Sequence, residues 1–371
     1  PLLLPSFYSA ILLVFLFDFT SFGVIMLLGG PRFSTLEVEI YIQTMQLLNL
    51  PLASLLSLLQ LLFTFVITNL SLKYSRAFIA PIMPSLHGER IKKPTGLGSR
   101  VFVRCMAIFL ILILVLPVAA LCLRSITHLE PARGDRSPAT AGFTLDYFRE
   151  LFINRRQSLF YVSPIIALRN SVIYALTTSM FSVFLGMISA LALTRSKKKS
   201  NWLDALLMLP LGTSAVTMGF GFIAAFYHQP EALRYYPLLI PLAHTLVSLP
   251  FVIRVLQPAL AAIPKSLHQA AVVLGASPFQ IWSKVDLPII SRALAISAIF
   301  AFTISLGEFG ATSFLTRPDI PTLPIAIYRY LNLPGSLNYG QAMAMATILL
   351  TVCGLSMWTI EQLQKNVSQE I

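Results

Sequence analysis

Lys265-Ser266-Leu267-His268-Gln269-Ala270-Ala271-Val272-Val273-Leu274-Gly275, followed ten residues later by Val285-Asp286-Leu287-Pro288, lies in a polar interruption between two long apolar segments, 237–256 and 291–314. Ala270 and Ala271 are strong helix formers with minimal bulk, so a helix carrying them can enter a groove of a partner. Gly275 ends such a helix and turns the chain, because it has no Cβ to clash at positive φ. Pro288 suits the first turn of the following helix, where its absent N–H is not missed. Ser266 and Gln269 stand three apart, the spacing of a capping box. The expectation is a short docking helix ending at Gly275, inside a loop 257–288. Two alanines and a glycine taken alone are also what an ordinary surface helix carries.

The surroundings decide between these readings. Of the 371 residues, 56% are hydrophobic and 11% charged, against about 25% charged in soluble domains. No soluble core buries that much apolar surface, so lipid is the solvent for most of the chain. Eight segments are long and apolar enough to cross a membrane: 7–29, 47–70, 105–123, 170–194, 204–227, 237–256, 291–314 and 340–360. The net charge of +12 does not point to nucleic acid, since the basic residues fall in short runs between apolar segments. Arg195, Lys197, Lys198 and Lys199 form the clearest cytoplasmic run, and 71–104 adds seven more cations. The cytoplasmic pieces are then 71–104, 195–203, 257–290 and the C-terminal tail. The outer loop 124–169 carries seven Arg but also four acids, and a surface helix is expected around Leu145–Phe152. Trp202, Tyr235 and Tyr236 read as anchors at the membrane interface. Cys105, Cys122 and Cys353 all lie in apolar stretches without metal-ligand spacing.

An internal repeat underlies the segments. A shift of 287 positions places Phe22-Gly23 on Phe309-Gly310, Leu28 on Leu315, Pro31 on Pro318, Thr35-Leu36 on Thr322-Leu323 and Ile40-Tyr41 on Ile327-Tyr328. Eight identities in twenty gapless positions compare with about one or two by chance. The expected fold is an all-α integral membrane protein, a polytopic bundle of about eight transmembrane helices in two pseudo-symmetric halves. Residues 1–70 are the last two helices of a first half, 71–104 a basic cytoplasmic linker, and 105–371 a second half of six helices. A chain starting at Pro1 fits an N-terminally incomplete first half.

With that context, Gln269-Ala270-Ala271, Gly275 and Leu287-Pro288 resemble the coupling motif of the permeases of type I ABC importers. The family has an acid, two alanines, a glycine six residues after the acid and a closing Leu-Pro. Only the acid departs, being Gln269. Leu168-Arg169-Asn170-Ser171, Leu209-Pro210 and Gly219-Phe220-Gly221 resemble further parts of the family's core. Ser305-Leu306-Gly307-Glu308-Phe309-Gly310 is similar to a segment of the fused permeases in the ferric iron and thiamine branch. The resemblance implies two cytoplasmic ABC ATPase subunits docked on coupling helices and an extracytoplasmic solute-binding protein. It also implies a multi-pass position in the plasma (inner) membrane with the C-terminus inside. ATP belongs to the partner subunits, since the chain holds no Gly-x-x-x-x-Gly-Lys-[Ser/Thr]. The reading is a transport subunit without catalytic residues, metal or cofactor of its own, favouring ferric iron or thiamine as solute.

Intramembrane carboxylates are costly and often functional. Asp18 and Glu308 stand out; under the repeat offset Asp18 falls on Ser305 and Ser21 on Glu308, which puts both acids on one face of related helices. Asp18, Ser21, Ser305, Glu308, Gly219 and Gly221 are therefore the candidate pathway residues, and the two acids together would attract a cation. The competing reading has each acid capping a neighbouring helix. His244 is a packing histidine or a proton relay. An ion-coupled secondary transporter remains the alternative function. It would use Asp18, Glu308 and His244 as coupling sites and would not need the loop 257–288.

Overall fold

The computed structural model describes residues 18–29, 33–77, 96–128, 142–153, 163–195, 201–226 and 236–368, with positions 11, 14, 15, 229 and 230 besides. Among them the chain is almost wholly helical, with two isolated β-bridges. Six helical runs are long and apolar enough to span a membrane: Leu50–Ile67, Leu97–Ile126, Pro164–Thr194, Leu239–Ala261, Pro278–Gly307 and Ser336–Gln364.

In chain order the elements are α1 (Gly23–Leu28), α2 (Leu36–Tyr41), α3 (Leu50–Ala77), α4 (Leu97–Ile126), α5 (Asp146–Glu150) and α6 (Pro164–Arg195). Then come α7 (Asn201–Gly212), α8 (Ala215–Phe226), α9 (Leu239–Ala261), α10 (Lys265–Val273) and α11 (Pro278–Ile281). The last are α12 (Leu287–Gly307), α13 (Gly310–Leu315), α14 (Leu323–Leu331) and α15 (Ser336–Ser368).

The core is the triple packing of α6, α9 and α12. Helix α9 runs between the other two and buries Ala243, Val252, Ile253 and Leu256 completely. Small residues make the close approach possible: Ala190 and Ala301 are fully buried, and a Cβ on Gly186 would overlap the Val252 side chain. Helix α15 packs on α12 and α14, and α4 lies outside it. Helix α4 exposes Ile108 through Leu116 almost without interruption. That is stable only with acyl chains as solvent.

Three expected spans are interrupted. The segment 204–227 breaks at Thr213-Ser214, where the Ser214 hydroxyl accepts the Thr217 N–H at 3.1 Å and starts α8. The segment 291–314 breaks at Glu308-Phe309; Glu308 turns extended after α12, and its side chain starts α13. The segment 7–29 breaks at residues 20–22, just before α1. In each case polar side chains or turn bonds replace the backbone bonds a continuous helix would make. The linker interval is narrower than expected, because α3 runs to Ala77 and α4 starts at Leu97. Residues 78–95 and most of the loop 129–162 lie outside the described residues. The short helix α5 forms where a surface helix is expected, yet Tyr147 and Glu150 are buried and the Tyr147 ring covers Gly340 of α15. Tyr236 is exposed, while Trp202 and Tyr235 fall outside the described side chains.

The offset of 287 recurs in the backbone. Helices α1 and α13 begin and end 287 positions apart, and α2 and α14 begin 287 apart. The residues before α2 and α14, Thr35 and Thr322, have φ/ψ of −86/169 and −87/167. Phe22 stacks on its own counterpart Phe309 with ring centroids 5.3 Å apart. Phe22–Tyr41 and Phe309–Tyr328 each stand at 5.5 Å. Only residues beside a two-fold axis touch their own equivalents, so this four-ring cluster marks such an axis between the segments.

Candidate functional site: a docking loop and a membrane-interior polar cluster

Helix α10 follows Pro264, whose extended backbone is its N-cap, so Ser266 sits inside the first turn and makes no cap bond. The expected box between Ser266 and Gln269 does not form. Its C-terminal end is held as expected by Gly275 at φ +80. The Gly275 N–H donates to Val272 O at 2.9 Å and the Ala276 N–H to Ala271 O at 3.0 Å. That pair of bonds is a Schellman motif, which requires the left-handed residue. A capping box appears eleven residues downstream of its expected place, at Ser277 and Gln280. Ser277 Oγ accepts from Gln280 N, and Gln280 Oε1 accepts from Ser277 N at 2.8 Å. A π-helical turn, Trp282–Asp286, then leads into α12, with Leu287 and Pro288 in its first turn. His268 Nε2 lies 2.8 Å from Oδ1 of the buried Asp286, tying α10 to that turn.

The platform is rigid and its outer face is bare. Gln269, Ala270 and Gly275 are exposed, as are Leu287 and Pro288, and Ala271 is half-buried. Val273, Leu274 and Phe279 are 86%, 85% and 75% exposed. Apolar side chains this open, on and beside a helix held at its C-terminal end, form an exposed apolar patch of the kind that marks interaction surfaces.

Inside the bundle, the Glu308 carboxylate is saturated. Oε1 accepts the Ala311 N–H at 2.9 Å, and Oε2 accepts the Thr312 N–H at 3.0 Å and the Thr312 hydroxyl at 2.7 Å. His244 Nε2 lies 3.0 Å from the same oxygen. His244 Nδ1 meets Ser305 Oγ at 2.7 Å, and Ser305 in turn donates to Thr178 at 3.2 Å. The hydroxyl protons of Thr178, Ser305 and Thr312 go to Pro241 O, Thr178 and Glu308. Both imidazole nitrogens have oxygen partners, Ser305 Oγ at Nδ1 and Thr312 Oγ1 at 2.7 Å with Glu308 Oε2 at Nε2, so the buried polar ring is satisfied. The Glu308 carboxylate thus accepts the first N–H groups of α13 as a cap does, and both ring nitrogens of His244 have partners.

The six candidate pathway residues do not converge. Asp18 is exposed, and the Ser21 carbonyl accepts from the Thr35 hydroxyl at 3.3 Å. Ser305 and Glu308 belong to the buried network above. A Cβ on Gly219 would stand 2.8 Å from Ala311 Cα, whereas Gly221 has no neighbour within 4 Å. Gly219 therefore lets α8 cross α13. Gly219→Val is expected to destabilise by about 1–3 kcal/mol through overpacking, read as loss of folded yield and a lower thermal midpoint. Gly221→Ala leaves both unchanged; equal losses in the two variants would remove the crossing argument.

Sequence reasoning missed Glu37. It is fully enclosed, its Oε1 accepting the Gln60 amide at 2.8 Å, with Ser214 as a second partner. The Thr217 hydroxyl closes on Gln60 Oε1 at 3.3 Å. The available signal was Gln60, the lone amide in the apolar span Leu50–Ile67. Another feature invisible in the sequence is a cavity of about 600 Å³ between α2, α8, α13 and α14, lined by Tyr41, Thr44, Ser313, Thr316, Tyr328 and Arg329 among apolar side chains. None of the six candidate residues lines it. Among the described residues, no group of three or more His, Cys, Asp or Glu is placed to hold a metal.

Comparisons with known proteins agree with the helical architecture. The chain is 27% identical over 231 residues, 62% of its length and 83% of the relative's, to the putative 2-aminoethylphosphonate transport system permease protein PhnV of Salmonella typhimurium. It is 30% identical over 221 residues, 55% and 78% of the two chains, to the sulfate transport system permease protein CysT of the same organism. It is 28% identical over 212 residues, 57% and 76%, to the spermidine/putrescine permease PotC of Escherichia coli. In three dimensions it is similar to a chain in the crystal structure of a bacterial alginate ABC transporter in complex with alginate pentasaccharide-bound periplasmic protein. The TM-score is 0.54 at 16% identity, covering 72% of this chain and 94% of that one. These names do not support the ferric iron and thiamine branch. Residues 182–367, half of the chain, match the family of binding-protein-dependent transport system inner membrane components. The chain belongs to that family: it is a multi-pass permease of an ABC importer, a transport subunit and not an enzyme.

Proposed function

We propose that this permease moves a small solute inward by alternating access, driven by two cytoplasmic ATPase subunits and supplied by an extracytoplasmic binding protein. The observation that carries the reading is the docking loop: a helix fixed by a Schellman motif and by the His268–Asp286 contact, presenting bare apolar side chains. ATP-driven closure of the ATPases would push on α10, and the continuous helical run Pro278–Gly307 would carry the movement into the bundle. The relatives' phosphonate, sulfate and polyamine systems and the periplasmic protein of the alginate transporter support the same assembly. Residues 1–70 and 105–371 belong to two halves around the axis at Phe22 and Phe309, and 71–104 joins them. The loop 257–288 and the C-terminus lie on the cytoplasmic side. Ferric iron or thiamine rested on the resemblance of residues 305–310 and on an acid pair; the relatives' phosphonate, sulfate and polyamine systems do not single out either solute.

Side-specific thiol labelling tests this assembly. Leu333→Cys, exposed between α14 and α15, is expected to label in intact cells; Asn338, nearby, is buried and unsuited. Ser266→Cys and Val273→Cys are expected to label only in inverted vesicles. Rebinding the ATPase subunits to stripped vesicles should protect Val273→Cys and leave Leu333→Cys unaffected. Labelling of Ser266→Cys from outside reverses the topology, and absence of protection at Val273→Cys removes the docking role.

A further inference from the structure

The 600 Å³ cavity has a charge of one sign. Among its lining residues Arg329 is the only fully ionised group, and no carboxylate is among them. Arg329 is half-buried, and among the described residues its guanidinium makes one hydrogen bond, from Nη1 to Pro318 O at 2.9 Å. The neighbouring acid Asp319 is turned to Arg317 at 3.1 Å. A guanidinium has five N–H donors, so most of its fork has no partner among the described residues. Taking a cation out of water without an anion is expensive.

The other donors in the cavity are spent, apart from the tyrosines. Thr44 donates to Ile40 O at 2.7 Å, Ser313 to Gly310 O at 2.7 Å and Thr316 to Ile320 O at 3.1 Å. What remains is the Tyr41 hydroxyl, within electrostatic reach of the guanidinium, and the Tyr328 hydroxyl, which has Asn332 as a partner. Tyr41 and Tyr328 are counterparts at the 287 offset, while the counterpart of Arg329 is Ile42. Two symmetric phenols and one asymmetric guanidinium thus face a chamber whose other walls are apolar side chains and the three hydroxyls already spent. Planar N–H forks match the oxygens of carboxylate, sulfate, phosphate and phosphonate groups.

We propose that this cavity is an anion site, in which Arg329 with Tyr41 binds an oxyanionic group of the solute on its way through the permease. The assignment deepens the transport reading and rests on it. The shared chemistry is an anionic oxygen cluster, which a phospholipid headgroup also offers.

The test uses the full chain in phosphatidylcholine nanodiscs. Thermal unfolding is followed against sodium sulfate, sodium methylphosphonate and spermidine hydrochloride, at ionic strength held constant with sodium chloride. Sulfate or methylphosphonate is expected to raise the midpoint saturably, and spermidine to leave it unchanged. Arg329→Gln should weaken the apparent affinity tenfold or more, about the 1.4 kcal/mol of one lost charged contact. Arg329→Lys should restore part of it, and Tyr41→Phe should weaken it less than Arg329→Gln. Partial rescue by lysine separates binding from a merely structural role, because the Pro318 contact is available to both residues. Nanodiscs containing phosphatidylglycerol separate the two sources: a raised midpoint with no further response to sulfate assigns the site to a headgroup oxyanion. No saturable anion effect on the unaltered chain, an equal effect in Arg329→Gln, or a response to spermidine overturns the proposal. Protection of Val273→Cys by the ATPases does not involve Arg329, so the two readings fail separately.

Discussion

Gly275→Asp and Ala271→Trp are expected to abolish uptake and solute-stimulated ATP hydrolysis while membrane-inserted protein stays near the unaltered level. Gly275 occupies φ +80, where a residue with a Cβ costs about 1–2 kcal/mol. Aspartate also places a charge beside the exposed apolar side chains of Val273 and Leu274. The indole of Ala271→Trp adds bulk on α10, whose fit to a partner groove would depend on small side chains. Neither position belongs to the buried core, so insertion and folding of the bundle should continue. Gln269→Glu is the matched control: position 269 is exposed, and a carboxylate there supplies the acid of the family motif, so uptake should be retained. The measurement is uptake per inserted molecule in vesicles, beside ATP hydrolysis by the assembled transporter. Near-normal transport in well-inserted Gly275→Asp and Ala271→Trp proteins would falsify the coupling role of α10.

The second large effect concerns the interior. Glu308→Ala removes three accepted hydrogen bonds and leaves His244 without its carboxylate. Breaking one partner of a buried pair costs about 3–5 kcal/mol, so folded yield should collapse. His244→Ala takes one partner each from Glu308 and Ser305, which keep their other hydrogen bonds, so a smaller loss in the same direction is expected. Glu308→Gln keeps one carbonyl acceptor, so a smaller loss is expected, and the surviving molecules should transport normally. Asp18→Asn should change neither yield nor uptake. The double change Asp18→Asn with Glu308→Gln should equal the sum of the single effects within about 0.5 kcal/mol, as for independent sites. Size-exclusion yield and uptake per inserted molecule separate these outcomes. A well-folded Glu308→Gln protein that has lost uptake, with non-additive coupling to Asp18→Asn, would return Glu308 to the pathway.

The sequence by itself determined the class of environment, the apolar segments that hold all six long spans and the repeat, but not the number of spans, since it read eight where six helical runs among the described residues are long enough. Lipid demands long apolar helices, and 287-residue counterparts keep the same helix starts at Gly23 and Gly310, and at Leu36 and Leu323. The end of α10 at Gly275 and the place of Pro288 in the first turn of α12 were also legible, since a backbone at positive φ and a missing N–H restrict residue choice directly. Tertiary structure alone decided what the polar groups in the membrane do. Periodicity gives the face of a helix and not the neighbour across it. Glu308 therefore read as half of an acid pair, whereas the break before α13 brings Ala311 and Thr312 N–H groups onto its carboxylate and α9 brings His244. Glu37 and Arg329 drew no attention in short segments that resemble loops. Their meaning arises only when α2, α8, α13 and α14 are folded together, with Gln60 closing around the acid and an open chamber left before the guanidinium. A buried charge must find its compensation somewhere, and which atoms supply it is a property of the packing.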